Sequence, residues 1–135
     1  MTLEELPDWA LELLQSARVA RLGLLDEEDR PRVLPVTFAV WGGAVWSAID
    51  RKRKRSAEPA RVQRLRRRPE ATLLVDRYDD DWSRLAWVEL RGSVSVEPLG
   101  PALEELTAKY PQYAGERPQG PLLRLAPERF ACWRA

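Results

Sequence analysis

The sequence predicts a mainly β protein: one antiparallel barrel with short helices attached. Three observations predict it. Six or seven strand-like segments follow one another, most of them joined as hairpins by turn-forming residues. Only two or three helical stretches lie between them. No internal repeat or low-complexity linker interrupts the 135 residues, so a single domain spanning 1–135 is expected, long enough to bury a core without staples.

Thr2-Leu3-Glu4-Glu5 has capping-box spacing, and Pro7 suits the first turn of a helix running to about Ala17. Its apolar stripe is Leu11 and Leu14, with Ala10, Leu13 and Ala17 beside them, as in a packing helix. Arg18 to Leu25 alternates, with Ala20, Leu22 and Leu24 on one face, and reads as a half-buried strand. Asp26 to Pro31 is a turn whose four acids are expected in solvent. Arg32 to Val40 is the second strand. Pro35 inside it cannot donate to a ladder, so this strand lies at an edge, is bulged, or is open to a ligand there. Trp41-Gly42-Gly43 makes a tight hairpin turn, because Gly accepts positive φ, and Ala44 to Ile49 returns as the third strand. Pro59 to Arg68 is a short helix with Val62 and Leu65 on its apolar side. Ala71 to Val75 is a buried strand, Asp76 to Trp82 an acidic and aromatic loop, and Leu85 to Val96 a long strand. Pro101 to Tyr110 is a helix with Leu103 and Leu106 inward. Pro111 to Pro121 is a loop, and Leu122 to Leu125 and Phe130 to Arg134 close the chain as short strands.

Charge is concentrated at one place. Ten of the eighteen residues from Arg51 to Arg68 are Lys or Arg, in a chain whose formal net charge is only +1. Only three of the 22 basic residues are Lys, and two of them, Lys52 and Lys54, fall within this segment. Two apart in extended chain, they point the same way. Like charges so crowded repel one another, and a bound polyanion offsets that: a phosphate group on a cofactor, or a nucleic-acid backbone. The start of the following helix lies close to Ser56, and its free N–H groups favour an anion.

Other chemistry is excluded by composition. No His is present, which removes a His general base, a Ser-His-Asp triad and His metal ligands. One cysteine, Cys132, cannot form an internal disulfide. Asp79-Asp80-Asp81 has no further carboxylates spaced around it, so no metal site is assigned, and a loop cap or a pair with Arg is expected. The acidic start is not a signal peptide, and no apolar run approaches the ~20 residues that span a bilayer. A cytoplasmic protein is expected, and any redox chemistry would reside in a bound cofactor.

Several runs together resemble the flavin-binding split-barrel family, the proteins similar to pyridoxamine 5'-phosphate oxidase. Within it the chain looks like the group of F420-dependent oxidoreductases. The resemblance rests on Ala17-Arg18-Val19-Ala20-Arg21-Leu22, Arg30 to Val36, Asp50 to Lys54, Leu74 to Trp82, Lys109-Tyr110-Pro111-Gln112-Tyr113 and Trp133. Two departures are visible. The turn before Arg30-Pro31 usually carries Gly where this chain has Glu28-Asp29. The run after Asp50 often reads Lys-Pro-Lys and here is Lys52-Arg53-Lys54.

The resemblance implies a homodimer of six-stranded split barrels with a cofactor at each subunit interface. It places Val33, Pro35, Val36 and Thr37 of the second strand, with Ser47 and Ala48 of the third, along the cofactor ring. It gives the phosphate to Lys52, Lys54 and Arg55, with Ser56 beside them. Trp82 and Trp87 of the partner chain would cover the ring. The cofactor implied is coenzyme F420, with FMN as the alternative. The reaction implied is hydride transfer to a small unsaturated substrate, with no catalytic side chain assigned beyond Tyr78 or water as a guess at a proton donor. A basic surface continuing past Lys54 into the helix suits the phospholactyl oligoglutamate tail of F420. A nucleic-acid-binding module built on that helix is the third reading. It is disfavoured because the chain is not basic overall and the helix carries no groove-reading motif.

Overall fold

The computed structural model describes residues 1–49 and 58–135. Among them seven strands form one antiparallel sheet: β1 (Ala20–Leu25), β2 (Pro31–Val36), β3 (Ala39–Trp41), β4 (Ala44–Ala48), β5 (Glu70–Arg77), β6 (Ala86–Glu97) and β7 (Leu122–Arg134). Four α-helices accompany them: α1 (Asp8–Ser16), α2 (Ala60–Arg67), α3 (Ala102–Lys109) and α4 (Gln112–Gly115). None of these helices is long and apolar enough to cross a membrane.

The strand order is β2-β1-β5-β6-β7-β4-β3, so β2 and β3 lie at opposite ends of the sheet. Yet only Thr37 and Phe38 separate them in the chain. Three residue steps from Val36 to Ala39 span at most about 11 Å. The two edges must therefore be brought side by side, and the sheet rolls into a barrel. The expected second strand, 32–40, is thus two strands that pair with different partners, β1 and β4. A period-2 pattern reports which side a residue faces and not which neighbour it pairs with, so the corner at Thr37–Phe38 leaves no mark in it. The antiparallel barrel is otherwise as expected, with seven strands where six were anticipated.

The closing strands differ as well. Leu122–Leu125 and Phe130–Arg134 are parts of one strand, β7, which pairs with β6 along its length. Arg91 faces Arg129 and Gly92 faces Pro127, so Glu128 is an extra residue on β7. That bulge admits Pro127, which a regular ladder would not.

The core follows the alternation. Ala20, Leu22 and Leu24 of β1, Ala71, Leu73 and Val75 of β5, and Val88 and Leu90 of β6 point inward. Ala10, Leu13 and Leu14 of α1 and Val62 and Leu65 of α2 close onto them. A second cluster joins Leu103 and Leu106 of α3 to Tyr110, Tyr113, Leu122, Ala39 and Ala48. This smaller cluster seats α3 beside the corner between β2 and β3.

Candidate functional site

The corner is held by hydroxyl groups. Thr37 and Phe38 lie between strands, so ladder bonds do not satisfy their backbone groups. Ser47 of β4 donates its Oγ proton to the Thr37 carbonyl at 2.6 Å. The Tyr110 hydroxyl accepts from Phe38 N at 3.1 Å and stands 3.0 and 3.1 Å from the carbonyls of Arg18 and Phe38. Burial raises the Tyr110 pKa, so its proton stays in place. The Tyr113 hydroxyl meets Thr37 Oγ1 at 2.7 Å. Thr37 and Ser47, assigned to the ring by resemblance, are therefore joined in one network. Tyr110 and Tyr113 were not singled out as part of it. The Lys-Tyr-Pro-Gln-Tyr run was the available signal, and only the folded corner reveals what its hydroxyls touch.

Lys109 stands behind the same corner. Its Nζ lies 3.7 Å from the centre of the Phe38 ring and 5.5 Å from that of Tyr110. Among the described residues that buried amine has no hydrogen-bond partner. Burial, with the nearby Arg18 guanidinium, lowers its pKa to about 8.

Strand β2 is the outer edge of the sheet. Val33 is 68% exposed and Pro35 is also exposed, and two apart they share the outer face. Val33 borders a cleft of about 520 Å³ together with Gly23, Arg32, Thr72, Arg91 and Arg129. Val36 and Ala48 point into the core at 4% and 3% exposure, so toward a ligand they offer backbone alone. Trp87 lies on the same outer face, three strands from β2, in a cleft of about 330 Å³ shared with Leu74, Tyr78 and Trp133. Trp82 sits exposed in a 3₁₀ turn, Trp82–Arg84. Within one chain these tryptophans do not meet Thr37 or Ser47. Lys52, Lys54, Arg55 and Ser56 lie outside the described residues.

The acidic segments have local partners. Asp81 accepts from Ser83 N and Ser83 Oγ, capping the 3₁₀ turn, and those bonds lower its pKa. Asp79 accepts from Arg84 Nε at 2.8 Å. The tip between β1 and β2 is exposed at Glu27, Glu28 and Asp29, as expected, and is also bonded to α2. Glu27 accepts from Arg64 at 2.9 Å, and Asp29 accepts from Arg67 at 2.7 Å and Arg68 at 2.9 Å. Arg66 bonds Glu58 at 2.9 Å. A polyanion approaching these four arginines would have to displace carboxylates already there.

The described residues fit a flat heteroaromatic ring. An edge strand leaves alternate peptide groups without ladder partners, and these can meet the polar rim of such a ring. Pro35 adds no N–H, and Val33 with Pro35 forms an apolar surface for a ring face.

The sequence profile of the pyridoxamine 5'-phosphate oxidase family matches residues 6–134. No curated protein matches the chain at a significant level. Several solved structures are similar in fold. A conserved hypothetical protein from Mycobacterium tuberculosis aligns with TM-score 0.74 at 18% identity, covering 91% of this chain and 81% of that one. An FAD-binding protein from Mesorhizobium loti aligns with TM-score 0.68 at 15% identity, covering 94% of each chain. An F420 reductase aligns with TM-score 0.68 at 18% identity, covering 93% of this chain and 98% of that one. Identities this low speak for a shared fold and not for a shared ligand.

Proposed function

The chain belongs to the pyridoxamine 5'-phosphate oxidase family, and from that premise we propose that it is an oxidoreductase holding a flavin-type cofactor, coenzyme F420 before FMN. The observation that carries this reading is the exposed edge of β2, with Val33 and Pro35, beside the corner where Ser47 fixes Thr37. Such a cofactor, when bound, would supply hydride transfer to a small unsaturated substrate.

The chain's own part is binding and orientation. The free peptide groups of β2 take the rim of the ring. Val33 and Pro35 pack on one ring face, and Val36 and Ala48 hold the backbone beneath it. Lys52, Lys54 and Arg55 take the phosphate. In a homodimer of single split-barrel domains spanning 1–135, Trp82 and Trp87 of the second copy cover the ring and exclude water. In this reading the protein works in the cytoplasm.

FMN is the second reading, and one observation favours it. Arg64, Arg66, Arg67 and Arg68 are ion-paired, so the helix does not present a bare basic track for an oligoglutamate tail. The same pairs count against a nucleic-acid interface. F420 keeps first place because exposed pairs of this kind are individually weak and exchange readily for a stronger anion.

Titration of the purified protein with F420 and with FMN tests the proposal, read by absorbance and by quenching of Trp fluorescence. One of the two should bind saturably. Replacing Lys52 and Lys54 by Ala should weaken that binding at least about tenfold, the loss of charge-assisted phosphate contacts. Binding of neither cofactor, or unchanged affinity in the double variant, overturns the respective assignment.

A further inference from the structure

Tyr110 and Tyr113 are three residues apart, both buried, with rings in an edge contact 5.8 Å between centres. Their hydroxyls do different work. Tyr110 meets backbone only, at Phe38 and Arg18, and so completes the corner's peptide bonding. Tyr113 meets a side chain, Thr37 Oγ1. Folding does not require that bond: Phe and Val would fill nearly the same space without polar atoms. A pair of hydroxyls in that place instead fixes the direction of one proton.

We propose that Tyr113 is a positioning residue: its O–H donates to Thr37 Oγ1 and thereby turns the Thr37 proton toward an acceptor on the rim of the bound ring. This rests on the cofactor reading above and deepens it. The Thr37 carbonyl is already occupied by Ser47, so the Thr37 backbone cannot swing to compensate if the hydroxyl is misdirected. Thr37 is only half-buried, so the residue is not sealed inside the core. A hydroxyl whose acceptor side is engaged by Tyr113 is preorganised as a donor, and a ligand acceptor that meets it need not reorient it. The Lys109–Tyr113 run, more than sixty residues from β2 in the chain, thus acts on the ring through Thr37.

The test is a double-mutant cycle on the whole protein, with F420 and FMN as probes and with dissociation constant and visible spectrum of the bound cofactor as readouts. Tyr113→Phe should weaken the better ligand roughly three- to tenfold, the size of one hydrogen bond, and shift its absorbance band. Thr37→Val should do the same, Thr37→Ser should restore wild-type values, and the double variant Tyr113→Phe with Thr37→Val should be no worse than Thr37→Val alone. Tyr110→Phe should lower the unfolding midpoint more than Tyr113→Phe does. If Tyr113→Phe does not fold, the contrast between Thr37→Val and Thr37→Ser decides. Wild-type affinity and spectrum in Tyr113→Phe or in Thr37→Val, or additive losses in the double variant, overturn the inference while leaving the cofactor assignment standing. Wild-type protein that binds neither probe overturns both.

Discussion

Arg67 Nη2 lies 2.7 Å from Asp29 Oδ1, tying α2 to the tip of the β1–β2 hairpin. The same carboxylate takes Arg68 Nη1 at 2.9 Å, and Arg67 also reaches the Asp26 carbonyl at 2.6 Å. Asp29 has φ 59°, the left-handed conformation that Gly adopts freely and Asp tolerates. A conformation that glycine would adopt freely is therefore held by a residue whose backbone cost is offset by two guanidinium contacts.

Acid should loosen this contact. Hydrogen bonding to Arg67 holds the Asp29 carboxyl below its ordinary 3.8, and hydrogen bonding to Arg64 holds Glu27 below 4.5. Backbone N–H groups of Arg30 and Glu28 do the same for Asp26. Carboxyl groups depressed in the folded state contribute stability that is present above the unfolded values and is lost as pH falls through the folded ones. Urea midpoints measured from pH 7 to pH 3 should therefore fall less steeply for Asp29→Asn than for wild type. Parallel curves would show that the pair contributes nothing.

Gly92 is predicted to be irreplaceable for a different reason. A Cβ there would stand 2.0 Å from the Ala126 carbonyl oxygen, on the bulged strand β7. The clash is with backbone and no rotamer relieves it. Gly92→Ala should destabilise by about 3 kcal/mol or more in urea unfolding, the upper range for overpacking. Gly100→Ala, whose new Cβ would meet only the Pro98 carbonyl oxygen, at 4.0 Å, should be nearly neutral. Equal effects at the two sites would refute the steric account.

Gly92 and Asp29 mark the boundary of what the sequence discloses. The inward faces of β1, α2 and α3 were legible, because local period reports burial. The edge position of Pro35 was one of three readings left open by its missing N–H, a property of the residue itself. The corner at Thr37–Phe38, the bulge at Glu128 and the pairing of acidic tip with basic helix were not. Each depends on a partner roughly 35 to 75 residues away, and no short window contains both members. Of the candidate site, Thr37 and Ser47 meet within one chain, while Tyr110 and Tyr113, which hold the corner around Thr37, became identifiable only in the fold.

Lys109 gives an alkaline prediction with the same sign of slope as Asp29, because its pKa too is lowered on folding. Its pKa is lowered to about 8 by burial, so the cation–π contacts with Phe38 and Tyr110 do not make up for lost hydration. The unfolded chain binds the proton up to about its ordinary 10.5, whereas the folded chain releases it near 8. Stability from this group therefore rises as pH increases between those values, and the full burden of the buried charge is carried below 8. Arg18 and Tyr110 face this amine, and burial raises the Tyr110 pKa, away from this window. Lys109→Met should flatten the rise in chemical stability from pH 8 to 10, and at pH 7 it should be neutral or stabilising. A marked loss of stability at pH 7 would mean that the ammonium is favoured where it lies.

The outer face of the sheet supplies the last prediction. Across β2, β1, β5, β6 and β7 the register aligns Pro35, Arg21, Leu74, Glu89 and Ala131 in one row, and Val33, Gly23, Thr72, Arg91 and Arg129 in the next. Trp87 and Trp133 face each other one step further along. Trp133 is 47% exposed and Tyr78 70%, beside Leu74 and Trp87. Two ion pairs, Arg21 with Asp76 and Arg91 with Glu89, offset part of the charge on this face, and an apolar end at Trp87 and Trp133 suits a self-complementary contact. A second copy packed here would bring its own Trp82 and Trp87 toward β2, where one chain alone offers the ring no cover. Sedimentation should find a dimer, and Val33→Asp or Trp133→Glu should weaken it roughly tenfold or more, as central apolar anchors do. Cofactor affinity should fall with dimer content. A monomeric wild type that binds cofactor tightly would show that the ring is covered by some other part of the chain.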